Sequence, residues 1–346
     1  MKKTVFFYII TLLVTSFLAA AGTSKKPDAK TKTSEKKDYL SMRITPEVAL
    51  MNGYVKEYVF SDFCRNKDNV ESRLDWDVKN IALFKIRGDF DILDYVYTGL
   101  DFSIAVPGKS GQMQDYDWLN SVGGTYGSNL DWFNDPPDEN TDYSCHTNNL
   151  EKYMSFSFAL GGNIHLPYEI KVSPFISYDY DYIGFYASDG WGIYKANDWE
   201  QTDFYGKVIA YKQETNAFSL GAKVQSTAVP RTWLYSDFSV SPALTFTNAI
   251  DHHYSYEDPK SGAAYWDKFT YLWQLKANLK AQFIFNENHS AGLAGFIQYI
   301  PRQKGITYSK EITNGRLARG AWAELPVNGG LERFIWSVSL SYSFSL

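Results

Sequence analysis

Two short segments carry acids where proton chemistry can be done. Gln114-Asp115-Tyr116-Asp117-Trp118 has two carboxylates two positions apart. In an extended chain residues i and i+2 share a face, so Asp115 and Asp117 project together. Asn248-Ala249-Ile250-Asp251-His252-His253-Tyr254 sets an acid and an imidazole at the same spacing. A carboxylate beside a histidine fixes its tautomer and stabilises its cation, making the ring a general base able to take a proton from water. Read alone, each cluster is also what a solvated loop carries. His146, His165 and His289 are scattered, and with Cys64 and Cys145 they show no metal-ligand spacing, so no metal is expected. No glycine-rich phosphate loop, nucleophile elbow or Ser-x-x-Lys motif is present where it would be useful. Water is the expected nucleophile.

The elements that must position these residues are strands. From Trp336 to Leu346 every even residue is apolar and every odd one is serine, and Trp273 to Phe283 alternates in the same way against a face of Gln274, Lys276, Asn278, Lys280 and Gln282. Shorter stretches around residues 100–106 and 238–247 agree. This predicts a barrel with an apolar outside and a polar interior, unlike a soluble sandwich, whose inward face is apolar. Tight turns at Leu166-Pro167-Tyr168 and Asn286-Glu287-Asn288-His289 alternate with long polar segments near 107–150, 187–203, 249–265 and 302–331. The fold expected is all-β, a transmembrane antiparallel up-and-down barrel of about ten strands with long extracellular loops. Its strands fall near 42–56, 72–90, 95–113, 150–165, 169–186, 204–226, 233–249, 265–285, 290–302 and 333–346. On this count both clusters lie at the tops of up-going strands, on one rim. The parity of Asp101 and Ser103 turns Asp115 and Asp117 toward the lumen, unless Gly108 or Gly111 hosts a bulge.

Composition agrees with this and excludes other classes. The 346 residues are 17% aromatic and 21% charged, and the mean hydropathy of −0.33 leaves no room for many membrane helices. A net charge of −5 gives no footprint for nucleic acid. Lys2 and Lys3, the apolar run Val5 to Leu18 and Ala19-Ala20-Ala21 read as a signal peptide over residues 1–21, with the mature chain beginning at Gly22. Residues 22–38 are expected to form a flexible lysine-rich tether, and 39–346 one barrel domain.

The chain resembles the omptin family, outer-membrane endopeptidases of Gram-negative bacteria. The resemblance rests on Ser72-Arg73-Leu74-Asp75-Trp76, Asp115-Tyr116-Asp117-Trp118, Tyr211-Lys212-Gln213 and Asp251-His252-His253-Tyr254, in that order along most of the mature chain. It implies a ten-stranded barrel rising above the membrane, with its cleft at the extracellular rim. Asp251 and His253 then match the Asp-His pair and Asp115 and Asp117 the acids facing it; the resemblance implies water held between the couples that attacks a peptide carbonyl, with the Asp115/Asp117 pair orienting it and sharing a proton, since two acids that close cannot both ionise freely. The family prefers basic residues beside the cut, and Glu57 matches one acid that reads them. The second falls at Ala249, which weakens that preference here. Asp267 lies near another subsite position, and Asp135 near a third. The family also needs lipopolysaccharide, yet Tyr178-Asp179-Tyr180-Asp181-Tyr182 has no arginine where that motif places one, so an aromatic belt with lumen acids is the plainer reading. An outer-leaflet lipid remains a possible requirement, and no other cofactor is expected.

The function expected is an outer-membrane endopeptidase, a monomer, cutting exposed peptides or proteins with its site facing outward. An inactive barrel serving as a surface adhesin or structural protein is the alternative. A small porin is a third reading, disfavoured because ten strands leave a lumen that side chains fill. Whether Cys64 and Cys145 pair stays open.

Overall fold

The computed structural model describes residues 39–61, 69–118, 140–254 and 260–346. The tether, the signal segment, Cys64 and Asp135 lie outside these. Among the described residues fifteen strand segments form one sheet. Ten of its strands close a ring. In chain order they are Leu40–Phe60, Val70–Ile92, Val96–Ala105 continued by Gly108–Asp117, Asp142–Gly162, Ile170–Tyr194, Gln201–Ser226, Thr232–Tyr254, Gly262–Ile284, His289–Lys304 continued by Ile306–Thr313, and Asn328–Ser345. Each pairs antiparallel with its neighbours, and the tenth pairs with both the ninth and the first, so the ring itself closes; the short upper segments Arg316–Leu317 and Ala323–Glu324 pair on one side only. The first strand and the last meet at the lower rim, where the Met42 amide donates to the Leu346 carbonyl at 3.1 Å.

Lower turns are tight. Leu93 and Asp94 both take left-handed φ of 52° and 63°, as do Tyr168 and Glu169 at 66° and 56°, and each turn joins strand partners, Ile92 to Val96 and Leu166 to Ile170, through three residues. Above them lies the apolar belt, where Val48, Leu50, Phe84, Phe102, Phe158 and Leu340 face outward, exposed. The alternating serines face inward as expected. Ser343 bonds Thr45 at 2.7 Å and donates to Gln282 at 2.8 Å, and Ser339 donates to Glu47 at 2.8 Å.

Inside the belt the lumen is filled by paired charges. Lys280 meets Glu47 at 2.7 Å, Arg87 meets Asp237 at 2.9 Å and Asp89 at 3.1 Å, and Lys276 meets both Asp179 and Asp181 at 3.3 Å. Charges buried this way are costly unless they are paired.

Two expectations need correction. The polar interior is not continuous from the belt to the upper rim. Above the belt Met51, Trp76, Ile183, Phe185, Phe269 and Leu331 are nearly or wholly buried in an apolar layer that caps the ionic one. Second, among the described residues the four upper segments read as long loops are largely strand, since pairing runs on to Asp117, Tyr194, Tyr254 and Thr313. Alternation marks only the lipid-facing stretch. Above the membrane both faces meet water or cleft, the apolar signal lapses, and the hydrogen-bond ladder continues without it.

Candidate active site

Each candidate side chain is aimed by local strand irregularities. In the third strand Ser103 and Ala105 are buried, then Ser110, then Met113, so the inward parity slips once after Ala105 and again at Gly111. A register shift between Lys109 and Gly111, with Gly111 at φ 122°, marks the second slip. The two slips cancel. Asp115 and Asp117 therefore face inward, opposite Ser144 and Asp142 of the fourth strand. The seventh strand keeps one parity through buried Thr245, Thr247, Ala249 and Asp251. Asp251 pairs with Tyr211 on one side and Tyr265 on the other.

In a ring of ten, the third strand and the seventh stand on opposite walls, so the two clusters face each other over the apolar layer. Trp76, stacked between Phe185 at 5.7 Å and Tyr211 at 5.6 Å, is the centre of that floor. Across the cleft the couples interact. His253 Nε2 is hydrogen-bonded to Asp251 Oδ2, and its ring stands edge-on to Tyr265 at 5.5 Å. Nε2–H is then the donor and Nδ1 the nitrogen left for a substrate or water. Burial alone would push the imidazole down, but Asp251, with Asp115 and Asp117 behind it, carries it up to about 9. Burial raises Asp115 well above the usual carboxylate range, with Asp117 adding to the shift and His253 opposing it. Burial likewise raises Asp117 to about 6 against a hydrogen bond from Ser72. This is a protonated acid, a carboxylate and an imidazole-carboxylate couple around one space, which can hold and move protons on a bound water.

The remaining candidates lie on the floor beside them. Glu57, in the first strand opposite Leu74 and Leu331, is 3% exposed and its Oε2 has no hydrogen-bond partner. Burial raises it well above its usual range, with Asp251, Asp267 and Asp115 adding to the shift. Asp267 sits directly opposite Ala249 and accepts a hydrogen bond from Thr307 at 2.6 Å. Its inward aim comes from a bulge. Below it Gln274 and Leu272 face in on even parity, and Tyr271 at φ 65° with a register break flips the strand so that Phe269 and Asp267 do.

One residue taken as scattered belongs here. His146 is 2% exposed on the wall of the cleft, its Nδ1 bonded to the Asp189 carbonyl at 2.7 Å and Nε2 to Ser144 Oγ at 2.9 Å, beside Asp115. Its signal was its parity with Asp142 and Ser144, hidden while that stretch read as loop. His252 points away from His253 and packs on Tyr254 at 6.3 Å. Asp75 faces outward to Lys56 at 3.2 Å. Asp179 and Asp181 are lumen acids, as their pairs with Lys276 show. Cys145 is buried. Among the described residues no group of three or more His, Cys, Asp or Glu is arranged to hold a metal ion.

Residues 38–344 match the family described as Omptin family. No curated protein matches the sequence. The crystal structure of the outer membrane protease OmpT from Escherichia coli superposes with a TM-score of 0.74 at 19% identity, covering 92% of this chain and 100% of that one. The translocator domain of the autotransporter NalP from Neisseria meningitidis covers 95% of each chain at 7% identity with a TM-score of only 0.30.

Proposed function

The chain belongs to the omptin family, and from that premise we propose that it is an outer-membrane endopeptidase whose cleft opens to the outside of the cell and whose nucleophile is water. The observation that carries this reading is the His253–Asp251 couple standing across a closed-floored cleft from Asp115 and Asp117. His253 Nδ1 takes a proton from water as its oxygen adds to the carbonyl carbon, and Asp251 stabilises the imidazolium formed. The Asp115/Asp117 pair, holding a proton between them, orients the water. His253 then returns its proton to the amine as the peptide bond breaks. Glu57 and Asp267, two buried acids beside this space, favour a basic side chain next to the cut. Ring closure leaves no strand edge open within the belt, which suits a monomer, and an outer-leaflet lipid is a proposed requirement for activity.

The test is to refold the mature barrel with and without native outer-membrane lipid and sequence the products from a mixed peptide library, with His253→Ala as blank. Cleavage that vanishes in the blank is the expected result. Products identical in both, or none in either lipid condition, overturn the enzyme reading. Peptide or protein binding that survives Asp251→Asn and His253→Ala without cleavage makes the barrel an adhesin.

A further inference from the structure

Two floor acids take no part in activating water, and how they are held bears on what the cleft accepts. Glu57 is buried with one oxygen unpartnered, and Asp267 is 5% exposed. A buried carboxylate lacking a donor is costly, and the cost is recovered when a cation arrives with the ligand. Asp267 reaches inward from the eighth strand across the ninth, where Thr307 donates to it, and comes to rest over the tenth. There it occupies the space in which a side chain at position 329 would begin. A Cβ on Gly329 would lie 2.2 Å from the Asp267 Cγ and 2.3 and 2.5 Å from its two oxygens. Gly329 faces inward, two positions from Leu331, the strand partner of Glu57. The strand partner of Asp267 on its other side, Ala249, is 1% exposed and brings no charge.

We propose that Gly329 is a specificity-determining position: its missing side chain admits the Asp267 carboxylate, which Thr307 fixes beside Glu57 as the second acid of a pocket for one cationic substrate side chain. The pocket rests on the endopeptidase reading for the reaction it serves, but not for its own charge. Thr307 and Gly329 are positioning residues, acting through Asp267. Burial raises Asp267 to about 7 against the Thr307 hydrogen bond. The pocket therefore gains charge, and selectivity for a cation, as pH rises through neutrality. Glu57 is held above its usual range by burial and by Asp251, Asp267 and Asp115, and loses its proton more readily when a cation enters.

The experiment compares a short fluorescent peptide carrying a single arginine with its citrulline twin, equal in shape but uncharged. kcat/KM is read on the refolded barrel, and binding by anisotropy on the His253→Ala protein. The arginine peptide is expected to be favoured by roughly a hundredfold, as two charge-assisted hydrogen bonds imply. In Gly329→Ala and in Asp267→Asn the ratio falls about tenfold or more. Adding Ala249→Asp to Gly329→Ala restores it, because a carboxylate then enters from the opposite strand. A ratio left at the wild-type value in Gly329→Ala overturns the proposal. Where Gly329→Ala does not fold, Thr307→Val and Asp267→Asn decide, and unchanged ratios in both overturn it. Where the wild type cuts neither peptide, the reaction reading has failed, and the binding ratio alone still upholds or overturns the pocket.

Discussion

Replacing Asp251 with asparagine removes the carboxylate hydrogen-bonded to His253 while keeping its shape. Burial would by itself lower the His253 imidazole, yet the charge and hydrogen bond of Asp251, with Asp115 and Asp117, raise it to about 9 from 6.5. In a dry site that rise corresponds to roughly 3 kcal/mol. The His253 side chain is 40% exposed, and solvent screening reduces the figure to about 2 kcal/mol or less. The sign follows from the base form. Only neutral imidazole takes a proton from water, so wild-type kcat/KM climbs with pH and levels off above about 9. Without the Asp251 charge His253 gives up its proton more easily, and the rising limb moves down by about one pH unit. The plateau falls by about two to four orders of magnitude, because the imidazolium formed in the transition state loses its counter-charge and the ring its fixed tautomer. The assay is cleavage of a quenched fluorescent peptide from pH 5 to 10.5 with refolded protein in one lipid mixture. A limb that stays near 9 in Asp251→Asn, or moves up, refutes the reasoning, whatever happens to the plateau.

Asp117, raised by burial to about 6, takes the second proton of its pair as pH falls. The wild-type profile therefore steepens below about 6, and Asp117→Asn removes the steepening, read in the same titration. Asp267 is buried and raised by that burial to about 7 from 3.8, so its charged form costs folding stability. The cost is absent below about 4, grows as pH rises and is complete above about 7. Asp267→Asn is thus expected to stabilise the barrel by about 1 to 4 kcal/mol near pH 8 and not at pH 4, checked by the temperature at which heat-modifiable migration on gels is lost. Trp76→Ala opens a cavity in the floor beside Phe185 and Tyr211 and costs about 3–5 kcal/mol, measured as a lower unfolding midpoint in urea or guanidinium. Its cleavage rate is expected to fall with it, since the floor carries both couples.

The barrel was legible because lipid outside and a filled lumen inside impose a period of two on every strand crossing the membrane. Trp336 to Leu346 and Trp273 to Phe283 show that period without interruption, and the structure places the serines and the Gln274-to-Gln282 face inward accordingly. Above the belt the rule has no lipid to enforce it. The upper strand ends read as loop, His146 lost its context, and the apolar layer around Trp76 was taken for more polar lumen.

Alternation, composition and motif order were enough for the membrane class, a barrel of about ten strands, the resemblance of four motifs to one family, and the residue types at Asp115, Asp117, Asp251 and His253. Which way the acids point, and what they meet, follows from strand register and ring closure. Two slips in the third strand cancel and return Asp115 and Asp117 to the cleft, while the single slip at Tyr271 turns Asp267 inward against the alternation of its own strand. A bulge inverts every side chain beyond it, and whether it forms depends on the register of the neighbouring strands. The space over Gly329 that receives Asp267 belongs to a strand more than sixty positions further along the chain. Only closing the ring brings them together.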